Sequence, residues 1–409
     1  MNDCNILHCD LNNFYASVAC LDNPTIKNYP VAVGGSQKER HGIILAKNYL
    51  AKEYGIKTGE TIISARHKCP NLIVVPPNFK RQNELSKIVR DIYLQYTSKV
   101  EPFGIDECWL DVSESRFAFG DSLHIANTIR QRVKQDVGLT VSVGVSFTKA
   151  FAKLGSDLKK PDAVTLISRA NFKEKVWPLP VGELIGVGSH TRQKLNSMGV
   201  FTIGDMALCG ESVLKRKFGK NGTKLFNMAN GIEDGEVLDS QIEELPKSIG
   251  RSTTTAADMF NLEQAHKVLL FLSEDVAGSL RKQNLKAAAI QVNIRTNTLV
   301  QSEFQGIIDN PTSSPITIAK YATDLLSDHY DFSLPLRSIG VRAINLKKDY
   351  VYQSDIFGDS AEQIRQEVLE DNILSIRDKF GNSVIKRASI IDQKEKARPS
   401  IVFGNKSQE

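Results

Sequence analysis

The stretch FGIDECWLDV, residues 103–112, sets two acids side by side, Asp106 and Glu107, in an apolar run that also holds Ile105, Trp109, Leu110 and Val112. Neighbouring residues on a strand point to opposite faces, so both acids cannot enter one dry core. An unpaired buried carboxylate is costly or shifts its pKa. Two readings are open: a strand end with solvated acids, or a metal site. A third acid bears on the choice. NILHCDL (5–11) reads as a short buried strand that ends at Asp10. If the two strands are antiparallel neighbours, the end of one lies beside the start of the other, and Asp10, Asp106 and Glu107 converge on one sheet edge. Three carboxylates gathered there repel one another unless cations bind. Mg2+ takes one or two carboxylates plus substrate phosphates, and a pair of such ions activates an attacking oxygen and stabilises a leaving one. The chemistry implied is phosphoryl or nucleotidyl transfer.

Positioning those acids requires a sheet and its supports. NNFYASVACL after Asp10 has helical character, and Leu85, Ile88, Val89, Ile92 and Tyr96 recur at helical spacing within 83–100. Residues 122–137 read as another amphipathic helix, TVSVGVS (140–146) as an alternating strand, and 148–160 as a helix stopped by Pro161. Residues 20–75 stand apart: two strands of a hairpin-like unit (30–35 and 42–46), a short basic helix closed by Gly55 (48–60), and a strand stopped by two prolines (72–77). Without that insertion, the chain up to about residue 165 predicts an α+β unit with an antiparallel sheet and helices on one face.

Further along, residues 181–207 read as helix, tight Gly186-Val187-Gly188 hairpin, helix, and a second glycine turn at Gly199. Such a hairpin is either a simple helix–helix turn or a phosphate site for a nucleic-acid backbone. After the acidic stretch 231–245, a second α+β unit is predicted, with a long helix (262–284) and strands at 287–297 and 336–346. Its Ser/Thr/Arg-rich strand edges, with Ser248, Arg251, Thr253, Arg337 and Arg342, are either solvated faces or phosphate grips. Past Asp349 a polar loop holds an apolar pair, Ile356 and Phe357, suited to docking in a groove. Residues 364–381 read as an amphipathic helix and the last fifteen or so as disordered.

The 409 residues suggest two to four domains, and the net charge of +5 is compatible with a polyanionic partner without requiring one. Six scattered cysteines with no CxxC spacing read as reduced core residues of a cytosolic protein. No signal peptide is recognisable and no apolar run reaches membrane-spanning length.

Taken in order, these motifs resemble those of the Y-family translesion DNA polymerases, of the bacterial DNA polymerase IV and UmuC-like kind, over nearly the whole chain. DLNNFYASV resembles the first metal motif, GIDECWLDV the second and SVGVSFTKAFAKLGSDLKKP the third. IGVGSHTRQKLNSMGVFTIGDM is similar to the helix-hairpin-helix thumb, and KSIGRSTTT to the start of the little finger. The resemblance implies an α+β multidomain, right-hand polymerase. Its parts would be a ferredoxin-like palm (1–19 and 76–170), small fingers (20–75), a thumb (171–235), a linker (236–246), an α+β little finger (247–349) and a C-terminal tail (350–409). It implies Asp10, Asp106 and Glu107 as catalytic metal-binding acids, a metal contact from the Leu11 carbonyl, and two Mg2+ ions, with Mn2+ as an alternative. Tyr15 falls at the steric gate that rejects a 2′-hydroxyl, beside Phe14, and Tyr49, Lys52 and Lys160 fall at triphosphate positions. Gly186 and Gly188, with the Ser/Thr/Arg set, would hold primer–template DNA. QSDIF (353–357) resembles a sliding-clamp peptide through Gln353, Ile356 and Phe357, with Ser354 where a Leu is usual, which implies a weak clamp contact.

The implied protein is a low-fidelity, template-directed polymerase of DNA repair that takes deoxynucleoside triphosphates and lacks a proofreading domain. It is expected to be monomeric, cytoplasmic and nucleoid-associated, with no membrane partner. Departures are Asn12 where many relatives carry Asp, Ala46 for Thr, Lys52 for Arg, which cannot form a bidentate fork, and Gly104 for Ser. Two rivals remain at this stage: a nucleotide cyclase, which needs neither thumb nor little finger, and a catalytically degenerate DNA-binding scaffold at stalled forks.

Overall fold

The computed structural model describes residues 4–36, 40, 42–232, 235–240, 245–348, 360–381 and 384–388. The chain divides into two compact units that separate between residues 243 and 244, with the short segment 36–41 grouped with the second.

In the first unit, strand β1 (Ile6–Leu11) is followed by an insertion with β2 (Val31–Gly34), β3 (Ile44–Lys47) and β4 (Ile73–Val75). Then come β5 (Val100–Pro102), β6 (Glu107–Asp111), β7 (Val141–Ser146) and β8 (Val164–Ile167). The main sheet has the order β5-β6-β1-β7-β8, antiparallel except for the β7–β8 pair. β5 and β8 are edge strands that the sequence reading did not anticipate. Each is three or four residues long, too short for a period to be read from the sequence.

The two faces of this sheet differ. Leu7, Cys9 and Leu11 enter the main core with Leu85, Val89 and Ile92 of the helix Phe79–Leu94 and Ile125 and Ile129 of the helix Ser122–Arg132. On the other face His8 Nδ1 lies 2.8 Å from Ser156 Oγ of the helix Lys149–Leu158. Helices therefore cover both faces, which corrects the one-face expectation. Alternation of side chains forces this, because His8 and Asp10 must point away from the face that Leu7 and Cys9 fill. The close crossing of the helix Lys149–Leu158 depends on Gly144, where a Cβ would sit 1.8 Å from the Ala152 carbonyl oxygen. Side-chain caps at Asn78, Asp121 and Thr148 start the three helices.

The insertion forms a three-stranded sheet, β3-β2-β4, packed on the short helices Tyr49–Glu53 and Ile62–Lys68 around Ile44, Ala51, Ile56 and Ile62. Beyond β8 lie the helices Ser189–Asn196, Ile203–Leu208, Glu211–Phe218 and Lys220–Ala229. The first helix expected for the glycine hairpin is a single 3-10 turn, Val181–Glu183. Pro178, Pro180 and Gly182 leave it no room to propagate.

The second unit holds β9 (Ser248–Met259), β10 (Leu285–Thr296), β11 (Gln301–Thr312) and β12 (Leu336–Lys348) in the antiparallel order β11-β10-β12-β9. One face packs on the helices Leu262–Lys282 and Pro315–His329 through Leu269, Leu272, Val276, Val292, Ile339 and Val341. The helix Ser360–Phe380 is docked by charge: Lys282–Asp378 is 2.7 Å, Lys286–Glu367 2.8 Å and Arg377–Glu274 3.1 Å. Its apolar residues are spread around it: Val368, Leu369 and Phe380 are exposed, whereas Leu374 is half-buried beside Gly278, so the expected amphipathic stripe does not form.

Candidate active site

The acids sit where the strands cross. In the β1–β6 ladder Asp10 is register partner of Glu107, and the Leu11 amide donates to the Asp106 carbonyl at 3.0 Å. Asp106 ends the turn 103–107, in which Phe103 N donates to Glu107 O at 2.8 Å. Gly104 lies in that turn at φ +100, a backbone state in which a serine would be strained. Arg90 and Ser86 hold the turn by donating to the carbonyls of Gly104 and Ile105.

Lysines surround the acids. Lys160 Nζ is 2.8 Å from both Asp10 Oδ2 and Asp157 Oδ1, and Lys153 Nζ meets Glu107 Oε2. Burial raises Asp10 to about 7, with Lys160 pulling it down and Glu107 pushing it up. Burial likewise raises Asp106 to about 6, aided by the charge of Glu107. Glu107 goes the other way: burial pushes it up, but His8 and Lys153 outweigh burial and hold it at about 2. Burial opposes the charge on Lys160, yet the Asp10 and Asp157 carboxylates hold its proton more firmly than usual. Buried oxygens that hold protons near neutrality are a donor set short of positive charge, and their hard oxygen chemistry fits a divalent cation. Among the described residues no three His, Cys, Asp or Glu side chains already close on one point. Glu107 is drawn to Lys153 and His8 instead.

The other expected residues fall into three groups. Tyr15 borders the acids: burial raises its hydroxyl and the Asp106 charge adds to that, while its ring meets Phe79 at 6.1 Å. Phe14 is 2 % exposed and packs in the main core, so its ring is not a site group. Tyr49 is raised by burial, with Lys160 lowering and Asp10 raising it, which puts its hydroxyl in the field of the site. Burial lowers Lys47, the charge of Lys52 lowers it further and Glu60 offsets part of this; Lys47 Nζ donates to Thr58 Oγ1 at 3.1 Å, and Lys52 Nζ lies 5.8 Å from the centre of the Tyr49 ring. Asn12 is buried, donating to Ser142 Oγ at 2.9 Å and accepting from the Asp162 amide at 2.9 Å. It pins the strand end to its neighbours, which accounts for an amide at that position.

Gly186, at φ +87, lines a cavity of about 450 Å3 together with Phe103, Trp109, Thr191 and Lys224. The glycine hairpin and the acid turn thus open on one space. Gly188 caps the helix Ser189–Asn196.

In the second unit Ser248 and the exposed Arg342 lie on the sheet face away from the helices, as does Ser252: a Cβ at Gly250 would touch Arg342, and one at Gly340 would touch Ser252. Arg251 and Thr253 point to the helix side, where Arg251 Nη2 donates to Ser279 Oγ at 3.2 Å and Thr253 is buried. Strand alternation separates them from Arg342. Arg337 is half-buried at an irregularity of β12. Gln353, Ile356 and Phe357 lie outside the described residues. His8, Lys153, Asp157 and Ser156 were not singled out in the sequence. A histidine in an apolar run and a lysine on a helix carry no signal without the strand register.

An acid set at paired strand ends, flanked by an inserted lysine-bearing sheet and a glycine-hairpin helical bundle, defines a polymerase-type nucleotidyl transferase. Family models match three segments: the impB/mucB/samB family at residues 9–157, its C-terminal domain at 246–356, and the DNA polymerase-iota thumb domain at 182–233. The chain is 47% identical over 390 residues to DNA polymerase IV of Acetivibrio thermocellus, covering 95% of this chain and 98% of that one. It is 34% identical to DNA polymerase IV 1 of Bacillus subtilis, covering 95% and 94%. A solved Y-family DNA polymerase chimera shares the fold at TM-score 0.76 and 24% identity, over 84% of this chain and 99% of that one. The chain belongs to the impB/mucB/samB family, the Y-family translesion DNA polymerases. The cyclase and scaffold readings are not favoured by these likenesses. No helix among the described residues is long and apolar enough to cross a membrane.

Proposed function

We propose that this translesion DNA polymerase adds deoxynucleotides to a primer 3′ end through Asp10, Asp106 and Glu107, with the Leu11 carbonyl completing a site for two Mg2+ ions. Mn2+ is an alternative occupant. The observation that carries the reading is the Asp10–Glu107 register pair with Asp106 one residue away, two of the three acids holding protons near neutrality. When bound, the cations activate the attacking 3′-hydroxyl and offset charge on the departing pyrophosphate. Tyr15 closes the site beside Asp106 and rejects a ribose 2′-hydroxyl. Lys160, Tyr49 and Lys52, with Lys47 beside it, grip the triphosphate. The unfavourable effect of the Lys52 charge on Lys47 supports an anionic occupant. Phe14 takes part through its amide at the first turn of the helix Phe14–Asp22, where N–H groups lack intrahelical acceptors.

Palm, fingers, thumb and little finger take the boundaries given above. Gly186 and Gly188 hold a DNA backbone, and the open face of the second unit, with Ser248 and Arg342, a further stretch of it. The residues 353–357 bind a sliding clamp weakly, and the protein works as a cytoplasmic, nucleoid-associated monomer. The test is primer extension with Mg2+ on undamaged and abasic templates. Wild type is expected to extend both, and Asp106→Ala, still binding primer–template, neither. Extension by Asp106→Ala at the wild-type rate would remove the acid from the reaction.

A further inference from the structure

Beneath the acids four residues close a ring. Lys153 Nζ meets Glu107 Oε2, and His8 Nε2 stands 3.2 Å from the same oxygen. Ser156 Oγ lies 2.8 Å from His8 Nδ1 and 2.7 Å from the carbonyl of Lys153; a neutral ring that carries its proton on Nε2, toward Glu107, accepts the single hydroxyl proton at Nδ1. The ring joins β1, β6 and the helix Lys149–Leu158. His8 is wholly buried, with its edge against Trp109 at 5.2 Å between ring centres. The polar atom that its Nε2 faces is Glu107 Oε2 at 3.2 Å, and the nitrogen has no other partner. A buried ring nitrogen left without a partner is costly, so this one needs the carboxylate. Both contacts on Glu107 fall on Oε2, and Asp10 is its partner across the strand register.

We infer that His8 is a positioning residue for the reaction: with Lys153 it holds Glu107 by Oε2, so that Oε1 is presented to a divalent cation. The inference rests on the metal reading of the three acids. His8 touches neither substrate nor cation and acts through Glu107. Partners that fix a metal-binding carboxylate govern how tightly the ion is held, and their loss weakens binding about ten- to a hundred-fold. A histidine that served the core alone would change melting and leave cation affinity as it was.

The test is Mn2+ binding followed by electron paramagnetic resonance. It uses the full chain, a primer–template whose primer lacks a 3′-hydroxyl, and the matching deoxynucleoside triphosphate. Expected is a rise in the Mn2+ dissociation constant of about ten-fold or more for His8→Leu, recovery to within about three-fold by His8→Gln, whose amide donates toward the same oxygen, and an intermediate rise for Ser156→Ala. Melting in chelator establishes that each variant is folded. Should His8→Leu not fold, Ser156→Ala carries the test, and an unchanged affinity there overturns the inference. Wild-type affinity in a folded His8→Leu overturns it too, while the metal reading stands. If wild type binds no Mn2+, or Asp106→Ala binds it equally well, the metal reading fails and takes this inference with it.

Discussion

At the scale of residues, charge gathered without its counter-charge sets the behaviour of the site. Asp10 lies at about 7 and Asp106 at about 6, both pushed up first by burial. Between about pH 4 and 7 the native metal-free protein keeps a proton on Asp10 that the unfolded chain has released. Stability therefore falls as pH rises through that window, by roughly 4 kcal/mol for Asp10. Glu107 works oppositely: its stabilisation is present above 4.5 and is lost as pH falls toward about 2. The expected outcome is a melting temperature in chelator that is lower at pH 8 than at pH 5.5, and a Mg2+-induced rise that is larger at pH 8. Equal Mg2+ effects at both values would contradict it. Replacing Tyr15 by Ala should raise ribonucleotide incorporation relative to deoxynucleotide on the order of a hundred-fold, read from single-nucleotide insertion kinetics. The paired acids were legible because carboxylates in an apolar run demand a reason. His8 and Lys153 were not, since each has an ordinary place in a core or on a helix until register brings them to Glu107.

At the scale of elements, the site depends on how closely one helix crosses the sheet. Gly144 and Gly155 face each other, and a Cβ on Gly144 would overlap the backbone of the helix Lys149–Leu158. That helix carries Lys153 and Ser156, and Lys160 follows it. Gly144→Ala should cost roughly 3 kcal/mol and lower the extension rate together with the melting temperature, because the helix must lift away. Gly188→Ala, in open space and at φ −72, should leave the melting temperature near that of wild type. Periodicity found the strands β1, β6 and β7 and the long helices, where burial on defined faces fixes the pattern. It missed β5 and β8, too short to show a period. It also gave the thumb's entry a helix that Pro178, Pro180 and Gly182 reduce to one turn.

For the whole molecule, a net charge of +5 is modest, so DNA binding must draw on local clusters. The two sheet faces of the second unit separate the candidates. Arg342→Ala should weaken primer–template binding and reduce the slope of log affinity against log salt by about one. Arg251→Ala should leave that slope unchanged and instead lower the melting temperature, because Asp275, raised by burial and eased by Arg251 and Arg377, loses one of its two counter-charges. The family and its order of parts were readable from motifs, whereas which strand residues face outward needed the register of β9 against β12. The central claim is that Asp10, Asp106 and Glu107 hold the metal pair. It is tested most directly by a crystal structure with primer–template, a matched deoxynucleoside triphosphate and Mg2+. The account predicts two cations about 4 Å apart, bound by these three carboxylates and the triphosphate, with Tyr15 under the sugar. A triphosphate bound with its cations away from Asp10 and Asp106 would contradict it.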